Sequence, residues 1–577
     1  MTVSMNRRSF LAQAAAATAA GALPMAVAST PPAAAAAPAA GDGLDALIRD
    51  ERAGIVAAMA AHDIPGVAVC LLHGGRPAWM EGFGTTGGSG PAAVDERTIF
   101  SIQSTSKNFT AVAVLLAVQD GLLDLDAPVT RYLPGFSVRS RFEARPQERM
   151  TLRMLLSHRA GFTHEAPVGN NYEPDSPGFQ AHVDSISDTW LRCPVGERYR
   201  YSNLGYDLAA SILQERTGVS YPEWLRSKLF APLGMGDSTA AAEVYTARRN
   251  RALGHEAGHD RVPAVTPLLA SGGVYTSARD MAAYAAFLLG RGRRAGTALL
   301  DPQLWEEMHG FGLGGDYGLG VIRAELRHGQ TPLRMYSHQG GGFGFGCVFA
   351  YCPDADLAWT AMFNRPVSAP YRFGRRLLDG ALSLRYGARQ PRLPARDVAS
   401  IRPTAVLQRQ LVGSYVGRNV KADIRLQPGG LVFEGTGNDT HGPLLAVSPD
   451  DFLVPAADGE LAAYRFHAAS PGQPAHLECF EGEASLDFNE GPEDPEGPDA
   501  SHWKRFEGRY RVLQWGRPAF DVTVERRRGY LYINGIRLVV ETEPGLFFAS
   551  DGEAVDFRPE TSTWRSLRLQ RLAKATT

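Results

Sequence analysis

Lysine is nearly absent from this chain. Of 59 basic side chains in 577 residues only Lys107, Lys228, Lys421, Lys504 and Lys574 are lysines, so arginine is used wherever a positive charge suffices. Cysteine is scarce as well. Cys70, Cys193, Cys347, Cys352 and Cys479 are odd in number and lack metal-ligand spacing, which argues against a disulfide scaffold and a zinc knuckle. At most one bridge is expected, the remaining thiols being buried. Neither charge sign dominates: 59 basic against 61 acidic residues leave a formal net charge of -2. Without a basic field or a local run of Lys and Arg, no nucleic-acid partner is expected. No apolar run after the N-terminal segment reaches the ~18 residues that a membrane span needs.

What is present is the balance of a soluble globular protein, 44% hydrophobic and 21% charged, long enough for two or three domains with real cores. The N-terminal segment places Arg7-Arg8 before Phe10-Leu11, then an Ala-rich stretch and Ala26-Val27-Ala28. It reads as a twin-arginine export signal over 1–28, and implies a periplasmic or extracellular protein. A Pro/Ala linker follows over 29–43. Next, "GVAVCLLHGGRPAWMEGFGTT" predicts two strands around a His-Gly-Gly turn. Helical spacing runs from Ser104 to Leu123 and returns in "TLRMLLSHRAGF", "YDLAASILQERTGVSYPEWLRSKLF" and "ARDMAAYAAFLLG". "CVFAYCPDADLAWTAMFN" then gives two strands about a Pro-Asp turn. Strands flanking a helical block predict an α+β domain over 44–390: an antiparallel sheet flanked by helices, with an all-helical subdomain, whose sheet joins the two ends of the domain.

Past a linker at 391–405 the texture changes to short alternating strands, with a faint internal repeat. Gly413-x-Tyr415 aligns with Gly508-x-Tyr510, and Asp458-Gly459-Glu460 with Asp551-Gly552-Glu553. Two small antiparallel β-barrel-like modules are expected, over 406–490 and 503–575, separated by an acidic linker at 491–502; two halves of one larger barrel would read the same way.

The chemistry gathers around the first lysine. In "SIQSTSKNFTAVAVLLAVQDG" Ser104 and Lys107 open a helix three residues apart, on one face and at the positive end of the helix dipole. A serine needs a neighbouring base to lose its proton, and a desolvated lysine can be that base or lower the pKa of another. Arginine cannot be deprotonated, so a lysine kept in this background points to a titratable amine. Ser501-His502-Trp503-Lys504 has the same spacing, but it leads into strand alternation and reads as an accident. In "ERYRYSNLGYDLAASI" Tyr201 can act as general base beside a cationic lysine, and the Asn203 amide can hold a substrate amide. In "YSHQGGGFGFGCVFA" the run His338-Gln339-Gly340-Gly341 opens a strand whose glycines let a substrate approach the backbone and whose N–H groups can face an oxyanion.

In this order the three motifs resemble the serine β-lactamase and penicillin-binding superfamily. The resemblance is to its class C β-lactamase-like branch of esterases and D-amino-acid peptidases. It runs from about Leu44 to Gln390 through "LDLDAPVTRYLPGF", "TLRMLLSHRAGF", "LFAPLGMGDST", "SGGVYTSARDMAAY" and "YGLGV". It implies Ser104 as the acylated nucleophile, Lys107 and Tyr201 sharing the proton transfers, and Asn203 positioning Lys107 and the substrate amide. The backbone N–H groups of Ser104 and Gly341 would form the oxyanion hole, with Gly340 and His338 on the substrate side. His338 stands where penicillin-hydrolysing members carry lysine; with at most a fractional charge there, the resemblance favours the peptidase and esterase members. The C-terminal modules resemble the lipocalin-like barrels of D-aminopeptidase-type members.

The expected activity is therefore an exported serine hydrolase, without cofactor or metal, acting on a small molecule or short peptide, with D-amino-acid peptides or amides as the substrate class. A β-lactamase or D-Ala-D-Ala carboxypeptidase is the alternative within the class. Two readings come from other classes: a non-catalytic wall-peptide binder, and a zinc peptidase suggested by "GHEAGHD", with His255 and His259 as ligands and Glu256 as base. Gly254, Gly258 and Pro263 with no apolar stripe predict a loop there, and a loop cannot aim two imidazoles at one ion.

Overall fold

The computed structural model describes residues 41–573, except 169–177, 257–261, 263–267, 311–316, 391–399, 418–420, 437–440, 456–460, 469–474, 480–481, 489–499, 515–516, 559–561 and the single residues 295, 343, 368, 528 and 566. The export signal and most of the linker after it thus lie outside the described residues. Strand β1 (Gly66–His73) and strand β2 (Arg76–Gly84) form the expected hairpin, turning at Gly74 and Gly75, both at positive φ. Four more strands come after the helical part: β3 (Ile322–His328), β4 (Thr331–Gly342), β5 (Phe345–Cys352) and β6 (Leu357–Phe363). The six form one antiparallel sheet in the order β2-β1-β6-β5-β4-β3. β1 runs beside β6 from Val67↔Phe363 to His73↔Leu357, which closes the two ends of the domain across the helical insert.

Alternation along β1 shows why both faces are covered. Val67, Val69 and Leu71 pack with Leu377, Leu378 and Leu382 of helix α5 (Arg375–Tyr386) and with Leu47 and Ile55 of helix α1 (Gly41–His62). Ala68, Cys70 and Leu72 point the other way, into a core shared with α2 (Ser106–Gln119), α3 (Leu204–Thr217) and α4 (Ala278–Leu289). Cys347 and Cys352 on β5 divide between the same two cores, as their odd offset requires. Cys70, Cys193, Cys347 and Cys352 are buried free thiols; the Cys479 side chain lies outside the described residues. Helix α2 is buried on every side from Ser106 to Ala117, so it is a central rod rather than an amphipathic surface helix. Helix α3 stops at Gly218, whose positive φ of 66° is the left-handed cap that glycine allows.

After this domain the described strands from Gly413 to Phe488 form a nine-stranded sheet, and eight strands from Gly508 to Arg571 close into a barrel. The repeat is visible at its tyrosines. Tyr415 donates to the Leu411 carbonyl and Tyr510 to the Phe506 carbonyl, each at 2.8 Å and four residues back. Asp458-Gly459-Glu460 lies outside the described residues, while its counterpart Asp551-Gly552-Glu553 forms the turn between strands Leu546–Ala549 and Ala554–Asp556. One local expectation is corrected. Ser501-x-x-Lys504 is helical, a 3-10 turn over Ser501–Phe506, because Trp503 and Phe506 three apart both insert into the barrel core. Burial is what sets it apart from the first motif: Lys504 is exposed and Lys107 fully buried.

Candidate active site

Ser104 sits in a 3-10 turn, Gln103–Thr105, that feeds directly into α2. Lys107, in the first turn of α2 and three residues on, lies on the same face as Ser104. The turn is held under strain: Gln103, the residue before the nucleophile, has φ of +50°, and its side-chain amide donates to Ser101 Oγ at 2.8 Å.

Lys107 Nζ makes three contacts: Ser104 Oγ at 3.1 Å, Asn203 Oδ1 at 2.8 Å and the Ser271 carbonyl at 2.8 Å. The last two can only accept, so two of the Nζ directions are taken by fixed acceptors and the third faces the Ser104 hydroxyl. Both acceptors are themselves fixed. Asn203 Nδ2 donates to Glu165 Oε1 at 2.8 Å, which sets the amide orientation. The fully buried Asp207 on α3 accepts from the Ala270 and Ser271 N–H groups at 2.9 and 3.2 Å and from Ser271 Oγ at 2.8 Å, so the Ser271 carbonyl cannot swing away. Asp207 also faces His182 Nε2 at 3.3 Å; burial pulls the His182 pKa down, but the carboxylate outweighs it and the net shift is upward.

Tyr201 lies in the loop before α3, its half-buried ring 4.9 Å from Lys107 Nζ. The imidazole of His158 lies against it at 4.3 Å between ring centroids, and that of His164 at 5.6 Å. His158 is a second left-handed non-glycine residue, at φ +58°, and it accepts the Ser202 N–H at Nδ1. Burial first, then the charge of Lys107, holds His158 well below its ordinary pKa, and burial holds the phenols of Tyr199, Tyr206 and Tyr317 well above theirs. These neighbours of Lys107 are therefore neutral.

Strand β4 supplies the opposite wall. Its outer partner β3 ends at the pair Ile322↔Ser337, so from His338 to Gly342 that edge pairs with no strand among the described residues. A Cβ at Gly340 would lie 2.0 Å from the Ile102 carbonyl oxygen, and one at Gly341 would lie 2.3 Å from the Tyr371 hydroxyl. Only glycine lets this strand lie against the turn that carries Ser104, which brings Gly340 and Gly341 to the site. His338 faces inward but is fully engaged: Nδ1–H donates to the Gln339 carbonyl at 2.7 Å, and Nε2 accepts from Tyr317 at 2.8 Å. Burial, then Lys107, pushes its pKa down to about 3 against the pull of the Gln339 carbonyl, so even a fractional charge is removed. The structure thus brings Ser104, Lys107, Tyr201, Asn203, His338, Gly340 and Gly341 into one region.

The "GHEAGHD" stretch is not helical at Gly254–Glu256, and His259 lies outside the described residues. Its described half clamps the β4–β5 turn: His255 N–H donates to the Gly344 and Asn364 carbonyls, and Glu256 Oε2 accepts the Gly344 N–H at 3.2 Å. Among the described residues no group of three or more His, Cys, Asp and Glu could hold a metal.

The beta-lactamase family model matches residues 47–382, more than half of the chain. The chain belongs to this family. Similar proteins include penicillin-binding protein 4 of Amycolatopsis lactamdurans, 31% identical over 35% of this chain and 52% of the relative. Putative beta-lactamase-like 1 of Homo sapiens is 28% identical over 54% of this chain and 63% of the relative. The chain therefore spans less than two thirds of these relatives' length. Among solved structures, SurE has the same fold, with TM-score 0.55 at 23% identity, covering 77% of this chain and 99% of SurE. The family, one of serine hydrolases acting on amides and esters, accounts for the sheet and helices around Ser104 and Lys107.

Sequence reasoning missed Glu165, Asp207, His158 and Tyr317. Asp207 left a signal, an acid within the apolar run "LGYDLAASI". Glu165 left none, because a loop carboxylate buried by tertiary contacts has no periodicity to betray it.

The histidines predict a stability profile. His338 and His309 both have pKa values pushed down to about 3, and His158 lies well below its ordinary value. The unfolded chain binds more protons than the folded one below the unfolded pKa of about 6.5, so stability is full above that pH and falls as pH drops toward the folded values. Each histidine costs about 1 kcal/mol one unit below it. His182 is shifted the other way, so its contribution is full below about 6.5 and is lost as pH rises; it offsets part of the loss from the three neutral rings without reversing it. The urea midpoint is expected to be clearly lower at about pH 5.5 than at about pH 7.5; equal midpoints would refute neutral burial of these rings.

Proposed function

We propose that the chain is an exported serine hydrolase that forms an acyl-enzyme at Ser104 and cleaves amide or ester bonds in small peptides or amides containing D-amino acids. The observation that carries this reading is Lys107, whose two fixed acceptors leave its remaining position facing Ser104 Oγ. Ser104 Oγ attacks the carbonyl carbon as its proton passes to Lys107 Nζ. Tyr201, beside the ammonium, relays a proton to the departing nitrogen or oxygen as the carbon–heteroatom bond breaks. The Ser104 and Gly341 N–H groups receive the oxyanion. Water then attacks the acyl carbon, gives its proton to the Tyr201/Lys107 pair, and Ser104 leaves protonated.

Substrate preference rests on His338. With Nδ1–H committed to a carbonyl and Nε2 accepting from Tyr317, it offers neither a free donor nor a charge to a carboxylate such as a β-lactam carries. SurE, which has the same fold, has been crystallised with D-Leu, and this supports D-leucine as the first residue to try. The relatives' names favour the second reading, a β-lactamase or D-Ala-D-Ala carboxypeptidase. The test is a parallel assay of D-leucine p-nitroanilide, a p-nitrophenyl ester and nitrocefin. Turnover of the anilide or ester at least about 100-fold above nitrocefin in kcat/KM, a difference of about 2.7 kcal/mol, is expected. Rapid nitrocefin turnover without anilide or ester cleavage would establish the second reading.

A further inference from the structure

The loop that delivers Tyr201 and Asn203 is gripped from outside the catalytic domain. The Arg198 guanidinium meets the buried His476 ring of the nine-stranded sheet. On the other side, the turn Asp551-Gly552-Glu553 of the closed barrel is docked against Arg192. Arg192 Nη2 donates to the Asp551 carbonyl at 3.0 Å, and Arg192 Nε lies 3.2 Å from Glu553 Oε1. A Cβ on Gly552 would sit 2.4 Å from the Arg192 carbonyl oxygen, so backbone meets backbone here. Glu553, only 2% exposed, also accepts from Thr163 Oγ1 at 2.6 Å. Phe548 completes the contact, edge-on to Trp190.

Thr163 begins a strip of three residues that each reach the site. The Thr163 carbonyl accepts from Ser202 Oγ at 2.6 Å, the His164 ring lies over Tyr201, and Glu165 holds the Asn203 amide. The His164 carbonyl also accepts the Asn203 N–H at 3.1 Å. The barrel presents Glu553 in a turn shaped from within itself. Asp551 accepts from Arg565 at 2.6 Å and from the Glu553 N–H at 3.2 Å.

We propose that Glu553 is a positioning residue of the hydrolase: through Thr163, the C-terminal barrel sets the placement of Tyr201 and Asn203 around Lys107. The proposal rests on the serine-hydrolase reading above. Displacements of about 1 Å at reacting groups cost up to about 100-fold in rate, so a carboxylate outside the catalytic domain can control turnover without touching substrate.

The test uses the full chain with Glu553→Ala, Glu553→Gln, Thr163→Val and the double variant E553A/T163V. Val522→Ala, in the barrel core but outside this contact, controls for loss of barrel stability. Two quantities are read from about pH 6 to about pH 10: kcat on a p-nitrophenyl ester, and the rate at which a fluorophosphonate labels Ser104. E553A is expected to lower kcat and labelling about 10-fold with KM little changed, and to shift the pH–rate limbs that report the Lys107/Tyr201 pair. E553Q, which keeps an oxygen for Thr163 but no charge for Arg192, gives an intermediate loss and covers the case in which E553A does not fold. T163V added to E553A costs nothing further. Wild-type kcat and an unshifted pH profile in folded E553A or E553Q would overturn the proposal, as would an equal loss in V522A. A wild-type chain labelled at a residue other than Ser104 would instead overturn the reading on which the proposal rests.

Discussion

Lys107→Met is expected to lower ester and anilide turnover by about 10³-fold or more while leaving the fold intact. The Lys107 side chain is fully buried, and a methionine of similar length fills its space but leaves the Asn203 Oδ1 and Ser271 carbonyl without their donor, a cost of about 1–3 kcal/mol each that lowers the melting temperature without unfolding the domain. What is lost is the acceptor for the Ser104 proton, and general-base contributions of about 10²- to 10⁴-fold are usual for a positioned group. Lys107→Arg sharpens the test. It supplies a positive charge but cannot give up a proton, and its planar fork does not reproduce the compact three-way coordination by Ser104, Asn203 and Ser271. The account predicts that K107R is as inactive as K107M. Steady-state kinetics together with thermal melts check both halves. An arginine variant that kept more than about a tenth of wild-type kcat would mean that Lys107 supplies only charge.

Ser104→Ala is expected to cost still more, on the order of 10⁴- to 10⁶-fold in kcat, because the covalent path disappears and only binding and the oxyanion donors remain. Groups that act as one unit are not additive, so the double variant S104A/K107M should be no worse than S104A alone. Ser104 is half-buried and its hydroxyl meets Lys107 Nζ at 3.1 Å, so its removal costs about one hydrogen bond and the melting temperature of S104A should lie close to that of the wild type. Additive losses in the double variant would separate the two residues into independent roles and contradict a shared proton path.

How much of this was legible in the sequence follows from the range of the interactions. The Ser104–Lys107 pair could be read because three residues along one turn determine which side chains meet, and because lysine is so rare here. The β1–β6 closure could be read because strand-like runs stand at both ends of the domain with a block of helices between them, an order that joins the ends in one sheet. The 3-10 turn at Ser501 was misjudged because strand alternation in "KRFEGRYRV" begins only after Trp503 and Phe506 have anchored the preceding residues in the barrel. The roles of Glu165 and Glu553 were invisible for a different reason, although the repeat had marked the turn that carries Glu553. The first is a loop acid whose burial depends on Asn203, and the second contacts Thr163 across 390 positions of sequence. Neither spacing nor composition records such a contact. The glycines of β4 stood between these cases: the run Gly340-Gly341 signalled close approach, but only the Ile102 carbonyl and the Tyr371 hydroxyl show what approaches.

The central claim is that Ser104 is the nucleophile of this fold and Lys107 its base. It is tested most directly by mass spectrometry of the intact chain and its peptides after reaction with a fluorophosphonate. The account predicts a single adduct per chain on Ser104, none in S104A, and strongly slowed formation in K107M. An adduct on any other residue, or undiminished labelling of S104A, would contradict it.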